Sequence, residues 1–214
     1  MIYLCAGMPR SGSTWMFNAV RLLLKNAGVP DFASGYINEK EELLTHRTVL
    51  IKLHRFDPEL AAKADVILNS HRDLRDVAAS AHRQFQTEFS MEAVSRWVKS
   101  HVKWEQFAAY DLHYERLLVD RLSEVKKIAA VLKLPEQTLD QLPYEAILRE
   151  IEAEKFARPV SESTPHDTVN LLHMGHITDG RHGSWKNFVP EAFIANIEKE
   201  FRGWMVSKGY LNSP

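Results

Sequence analysis

The chain has 214 residues, 45% apolar and 26% charged, proportions that exclude wholesale disorder and a fibrous repeat. Its 27 basic and 28 acidic residues leave a net charge of −1, which excludes a broad nucleic-acid-coating surface, because that role needs a basic excess. Cys5 is the single cysteine, so an intrachain disulfide and a cysteine-based zinc site are excluded. Residues 1–8 form no signal-peptide pattern and no apolar run approaches the roughly 20 residues of a membrane span, so the expectation is a soluble, cytoplasmic protein.

The predicted elements alternate. Residues 2–6 (IYLCA) form a short apolar run that suits a strand buried on both faces. Residues 13–25 have helical spacing through Trp15, Val20 and Leu22, with Gly28 as a stop. Residues 48–53 and 66–69 read as two more buried strands, and Asp73 caps a helix over 74–84. A longer amphipathic helix covers 91–105, a fourth strand 108–114, and helices 117–132, 144–156 and 190–207. A loop rich in Gly, His and Ser spans about 158–187, long enough to be functional. Strands alternating with helices predict a three-layer α/β/α fold around a central, mostly parallel sheet. Ligands of such sheets sit at the strand carboxyl ends.

The stretch 7–14, GMPRSGST, joins the first strand to the first helix with the spacing of a P-loop: Gly7, four residues, then Gly12. Ser13 stands where a nucleoside triphosphatase carries its lysine. Such a loop still cradles an anion with backbone N–H groups and a helix N-terminus, and Arg10 adds a cation. A second strand–turn–helix follows at 66–80. Arg72 at its strand tip and Ser80 eight residues later make a second anion site, unless Arg72 simply pairs with Asp76 as a solvated arginine.

With both sites in view, the chain resembles the sulfotransferases that use 3′-phosphoadenosine 5′-phosphosulfate (PAPS). Residues 9–15, with Arg10, Ser11, Gly12, Ser13, Thr14 and Trp15, resemble the family's 5′-phosphosulfate loop. Arg72 and Ser80 resemble its 3′-phosphate motif, and Gly180, Arg181, His182 and Gly183, followed by Trp185, Lys186 and Asn187, resemble its late GxxGxWKN segment. Tyr114 with Glu115 is similar to the tyrosine–acidic pair of the adenine pocket. The resemblance implies a P-loop-like fold, one sulfotransferase domain over residues 1–214, PAPS as donor, adenosine 3′,5′-bisphosphate (PAP) as product and no metal. It departs from the family at Thr178 and Asp179, where cytosolic members carry a basic pair, and Arg181 is the candidate to take over. The family's dimerisation motif is not found in residues 188–200, so the oligomeric state stays open.

Sulfuryl transfer needs a base for the acceptor proton, cations for the leaving phosphate and in-line placement. Residues 48–54 resemble the family strand ending in Lys-x-His, and period-two alternation puts Lys52 and His54 on one side. His54 is the expected base, with Lys52 and Arg10 neutralising charge on the bridging oxygen. Glu39, Glu41 and Glu42 are alternative bases but read more easily as a solvated helix start. The late histidines, His166, His173, His176 and His182, match no metal-ligand spacing, though His182 lies inside the GxxG segment. Trp97 and Trp104 read as core, Trp15 as a wall against adenine and Trp185 as packing for the late loop. The expected partner is a small-molecule, sugar, lipid or peptide acceptor, bounded by segments near 32–38, 85–97 and 158–176. A kinase with a degenerate P-loop and a catalytically silent nucleotide-binding module are the competing readings. The missing lysine disfavours the first and the strand-borne Lys-x-His the second.

Overall fold

The computed structural model describes residues 1–154, 167–173 and 180–213. Five strands, β1 (Ile2–Cys5), β2 (Phe32–Tyr36), β3 (Thr48–Lys52), β4 (Val66–His71) and β5 (Tyr110–His113), form one sheet in the order β2-β3-β1-β4-β5. All four strand pairs are parallel, as expected, and Cys5 lies level with Lys52 on one side and Leu68 on the other. The strand order reverses at β1, so the crevice for a ligand opens at its carboxyl end.

Alternation along β1 explains the three layers. Tyr3 and Cys5 join a core with Phe17, Leu22 and Leu23 from helix α1 (Ser13–Asn26). Leu4 and Ala6 point the other way, into a core with Val49, Ile51, Ile67 and Trp104. The helices α2 (Lys40–Leu43) and α3 (Pro58–Lys63) supply Leu43, Leu60 and Ala61 to that second core. A third cluster packs Leu74 and Ala78 of α4 (Leu74–Phe85) against Val94 and Val98 of α5 (Met91–Glu105). Trp104 is buried as expected, and Trp97 packs against the third cluster.

Several boundaries differ from the sequence reading. The helix expected over 117–132 is two, α6 (Tyr114–Val119) and α7 (Arg121–Val131). They part at Asp120, whose side chain accepts Ser123 N–H at 2.9 Å and so starts a new helix. After α8 (Glu136–Gln141), α9 runs Tyr144–Ala153, and residues 155–156 of the expected helix lie outside the described residues. The last helix is also two, α10 (Glu191–Glu200) and α11 (Arg202–Ser207), parted at Phe201. Among the described residues, one strand and two α-helices were not anticipated. β2 (FASGY) is an edge strand of low strand propensity that exists through its pairing with β3, and α8 is a short surface helix. α3 is started by Asp57, which accepts Glu59 N–H and Leu60 N–H ahead of Pro58.

Candidate active site

The site begins where β1 stops. Gly7 adopts φ 138°, and a Cβ there would lie 2.1 Å from Ser70 Oγ and 2.9 Å from Ser70 N, so only glycine fits. Gly12 caps α1 at φ 81°. The first turn of α1 holds no acidic residue, and Gly12, Ser13 and Thr14 line a cavity of about 470 Å³. The positive end of the helix therefore meets the cavity with no carboxylate of its own turn against it. Ser11 does not line that cavity. Its hydroxyl bonds Met8 O and Ser70 Oγ, both at 2.7 Å, and braces the loop from behind. Arg10 stands at φ 64° and its Nε donates to Ser80 Oγ at 3.0 Å.

Lys52 and His54 reach the same cavity, as the alternation predicts. Lys52 is 6% exposed and its Nζ donates to Thr14 Oγ1 at 2.8 Å. Burial pushes its pKa down to about 8; Cys5 opposes that shift and Arg10 adds to it. His54 Nδ1 lies 2.8 Å from Gly7 O. A carbonyl oxygen only accepts, so Nδ1 carries the proton and Nε2 keeps its lone pair. Burial first, then the Lys52 charge, push His54 down to about 3, with the Gly7 bond acting the other way, so the imidazole is neutral at physiological pH. Glu39 lies half-buried in a short 3₁₀ turn, and Glu41 and Glu42 are exposed on α2.

Arg72 is 3% exposed at the tip of β4. Its guanidinium sits 4.1 Å over the Tyr114 ring, donates to Arg10 O at 3.3 Å and to Arg181 O at 2.5 Å. Its buried Nε–H has no hydrogen-bond partner among the described residues. Arg72 thus ties the two loops together while one donor stays unspent, and the pairing with Asp76 weighed from the sequence is replaced by these contacts. Asp76 instead accepts from Gly183 N–H, Ser184 Oγ and Trp185 N–H. Arg10 is held down to about 10, by burial and then by Arg72, so it stays cationic at physiological pH.

Trp15, Arg72, Ser80, Tyr114 and Gly180 line the cavity, whereas Arg181, His182 and Gly183 do not; Arg181 and His182 are exposed. Tyr114 Oη donates to Gly180 O at 3.2 Å and holds the late turn at the rim. Trp185 packs under the Arg75 guanidinium at 4.2 Å, the packing role expected of it. Thr178, Asp179, His166 and His176 lie outside the described residues. Leu117, Leu118 and Ile151 also line the cavity and were not singled out from the sequence. Leu117 and Leu118 follow Tyr114 by three and four residues, a helical spacing that was the available signal. Phe85, Leu172 and His173 line it too, within segments expected to bound the acceptor.

Among the described residues, His71, His101 and Asp111 form a group with metal-ligand proximity. Trp204 Nε1 donates to His101 Nδ1 at 3.4 Å, which leaves His101 Nε2 protonated toward Asp111 at 3.2 Å, and Lys208 Nζ already holds Asp111 at 2.9 Å. Those atoms are spent on one another, so the group is a hydrogen-bonded polar core.

A glycine loop after the central strand, with an arginine at the tip of the next strand and a serine on the helix that follows it, lines one cavity of an α/β protein. The sulfotransferase domain family matches residues 3–209, and the chain belongs to that family. Comparison with curated proteins gives no significant match. Among solved structures, the chain is similar to a mouse sulfotransferase, SULT7A1, complexed with PAP, at 17% identity and a TM-score of 0.64, covering 95% of this chain and 83% of that one. It is also similar to retinol dehydratase in a complex with retinol and PAP, at 16% identity and a TM-score of 0.60, covering 100% and 83%. A third similar structure is retinol dehydratase with androsterone and inactive cofactor PAP, at 19% identity and a TM-score of 0.58, covering 100% and 82%. These likenesses support the fold. No helix among the described residues is long and apolar enough to cross a membrane.

Proposed function

We propose that this chain, as one sulfotransferase domain over residues 1–214, moves the sulfuryl group of PAPS to a hydroxyl or amine of a small-molecule acceptor. The observation that carries the reading is the convergence of two cationic sets, from two strand–loop–helix junctions, on one cavity. Lys52 and the 7–14 loop form one set, and Arg72 with Ser80 the other, the two meeting where Arg10 bonds Ser80 and accepts from Arg72. A donor with a 5′-phosphosulfate and a 3′-phosphate needs that layout. The Nε–H of Arg72, which has no partner among the described residues, and the glycine cradle of the loop fit it. PAP in the three similar structures supports the donor class, and retinol and androsterone in two of them support a small-molecule acceptor.

The bound donor supplies the sulfuryl group and a phosphate leaving group. His54 Nε2 takes the acceptor's proton as the acceptor oxygen or nitrogen bonds to sulfur and the bridging S–O bond breaks. The departing electron pair stays on the phosphate oxygen, where Lys52 and Arg10 meet the charge. Thr14 fixes Lys52 and Gly7 fixes the His54 tautomer, so neither has to reorganise. Trp15, Tyr114 and the apolar Leu117, Leu118 and Ile151 form the nucleoside wall. Gly12 acts through its backbone N–H group, Ser11 by bracing the loop, and Arg181, His182 and Gly183 through the shape of the late turn.

A thermal-shift titration with PAP, AMP and ATP–Mg²⁺ tests the reading. Stabilisation by PAP without metal is expected, about 2.7 kcal/mol at a hundredfold excess over its dissociation constant. Turnover of PAPS with a panel of small alcohols and phenols follows. Stabilisation by ATP–Mg²⁺ alone would bring the kinase reading forward.

A further inference from the structure

The late turn is fastened to α4 by side chains. Asp76, 1% exposed, accepts from Gly183 N–H at 2.6 Å, Trp185 N–H at 3.1 Å and Ser184 Oγ at 3.2 Å. Asp76, Ser80 and Arg83 recur at i, i+4 and i+7 and share one face of α4. Ser80 faces the cavity, and Arg83 reaches Ser184 Oγ at 3.3 Å and lies over Phe188. Two residues before the clasped segment, Arg181 O accepts Arg72 Nη2. A chain of short contacts therefore runs from Asp76 through residues 183–185 to Arg181 O and the Arg72 guanidinium. By charge alone, a buried carboxylate so near an anion site opposes the ligand. Its lone pairs are instead engaged by three neutral donors, which is the work of a cap.

We propose that Asp76 is the positioning residue that makes donor binding depend on the 3′-phosphate. It holds the late turn on α4, and the turn holds Arg72 in the one orientation that presents its unspent Nε–H to that phosphate. The inference rests on the reading of the cavity as a PAPS site. A ligand that lacks the 3′-phosphate does not use Arg72 and so does not need the clasp.

The test measures PAP and AMP affinities by calorimetry for wild type, Asp76→Asn, Arg72→Ala and the double variant. Asp76→Asn keeps the shape but turns an –NH₂ toward N–H donors. It is expected to weaken PAP at least about tenfold and AMP by less than about threefold. In the Arg72→Ala background the same change should cost PAP binding little, because the two act as one unit. Hydrogen exchange gives a second readout in the unaltered protein: PAP, and not AMP, should slow the amides of Gly183 and Trp185. Ser184→Ala, a milder change, should shift PAP affinity in the same direction. Equal losses for PAP and AMP would overturn the proposal as a merely structural effect. Tighter PAP binding by Asp76→Asn would show that the carboxylate acts only by charge, and overturn it too. A wild-type protein that binds PAP no better than AMP would overturn the donor reading, and this inference with it.

Discussion

At the scale of single residues, the proposed mechanism turns on two groups whose pKa values burial has moved. His54 is neutral and its tautomer is fixed by Gly7 O, so Nε2 is ready to accept a proton. His54→Ala should lower turnover by about 10²–10⁴ and leave PAP affinity within about twofold, because in the proposed mechanism the side chain serves the acceptor proton and not the phosphates. Near-normal turnover would move the base elsewhere. In the proposed mechanism Lys52, at about 8, must stay protonated to meet the leaving charge. The kcat/KM profile for donor should therefore fall as pH rises through about 8. The fall in kcat should come at higher pH, since bound anionic donor favours the charged lysine. Lys52→Arg should carry the kcat/KM limb above pH 10, and an unmoved limb would assign it to another group.

At the scale of elements, the strand–loop–helix unit β1–α1 is where sequence and structure agree most closely. Gly7, Gly12 and the lack of acidic residues before residue 31 are legible in the sequence as an anion cradle, because their effect is local. Lys52 and His54 followed from alternation for the same reason. What escaped was set by distant partners. β2 is legible only through β3, and the rim residue Ile151 arrives from a helix far along the chain. Asp76 looked like a partner for Arg72, and only the fold shows it capping residues over a hundred positions away. The local demand on Gly7 gives a prediction. Gly7→Ala forces a Cβ against Ser70 and a side chain onto a positive φ, which should cost about 2–4 kcal/mol in urea unfolding. PAP binding should fall with it. A loss below about 1 kcal/mol would mean that the loop can shift away from β4.

At the scale of the whole molecule, the carboxyl-terminal helices are joined to the sheet by a buried polar core. His71 on β4 bonds Tyr210 Oη at 2.8 Å, and Tyr210 Oη reaches Glu115 Oε2 at 3.0 Å. Glu115 Oε1 in turn accepts Asp73 N–H at 3.1 Å, at the start of the helix that carries Ser80. Asp111, His101, His113, Lys208 and Trp204 surround His71, so the ends of β4, β5 and α11 share one set of charges. Burial pushes His71 down to about 3, and His101, Lys208 and His113 add to this while Asp111 opposes it. The unfolded chain then binds a proton near pH 6.5 that the folded chain refuses until about 3. Stability contributed by neutral His71 is present above pH 6.5 and is lost as pH falls from there toward 3. Asp111 is different in sign and window. Burial raises it, but the His101 bond and the nearby cations outweigh that and hold it near 2, so its contribution is lost only below about 4. Denaturant melts at pH 6.5, 5.5 and 4.5 should therefore show wild type losing up to about 1.4 kcal/mol per pH unit more than His71→Asn, which has no such proton to bind. Parallel slopes for the two proteins would assign the acid sensitivity to His54 instead, and the His54→Ala protein, melted over the same range, would then be the one with the shallower slope.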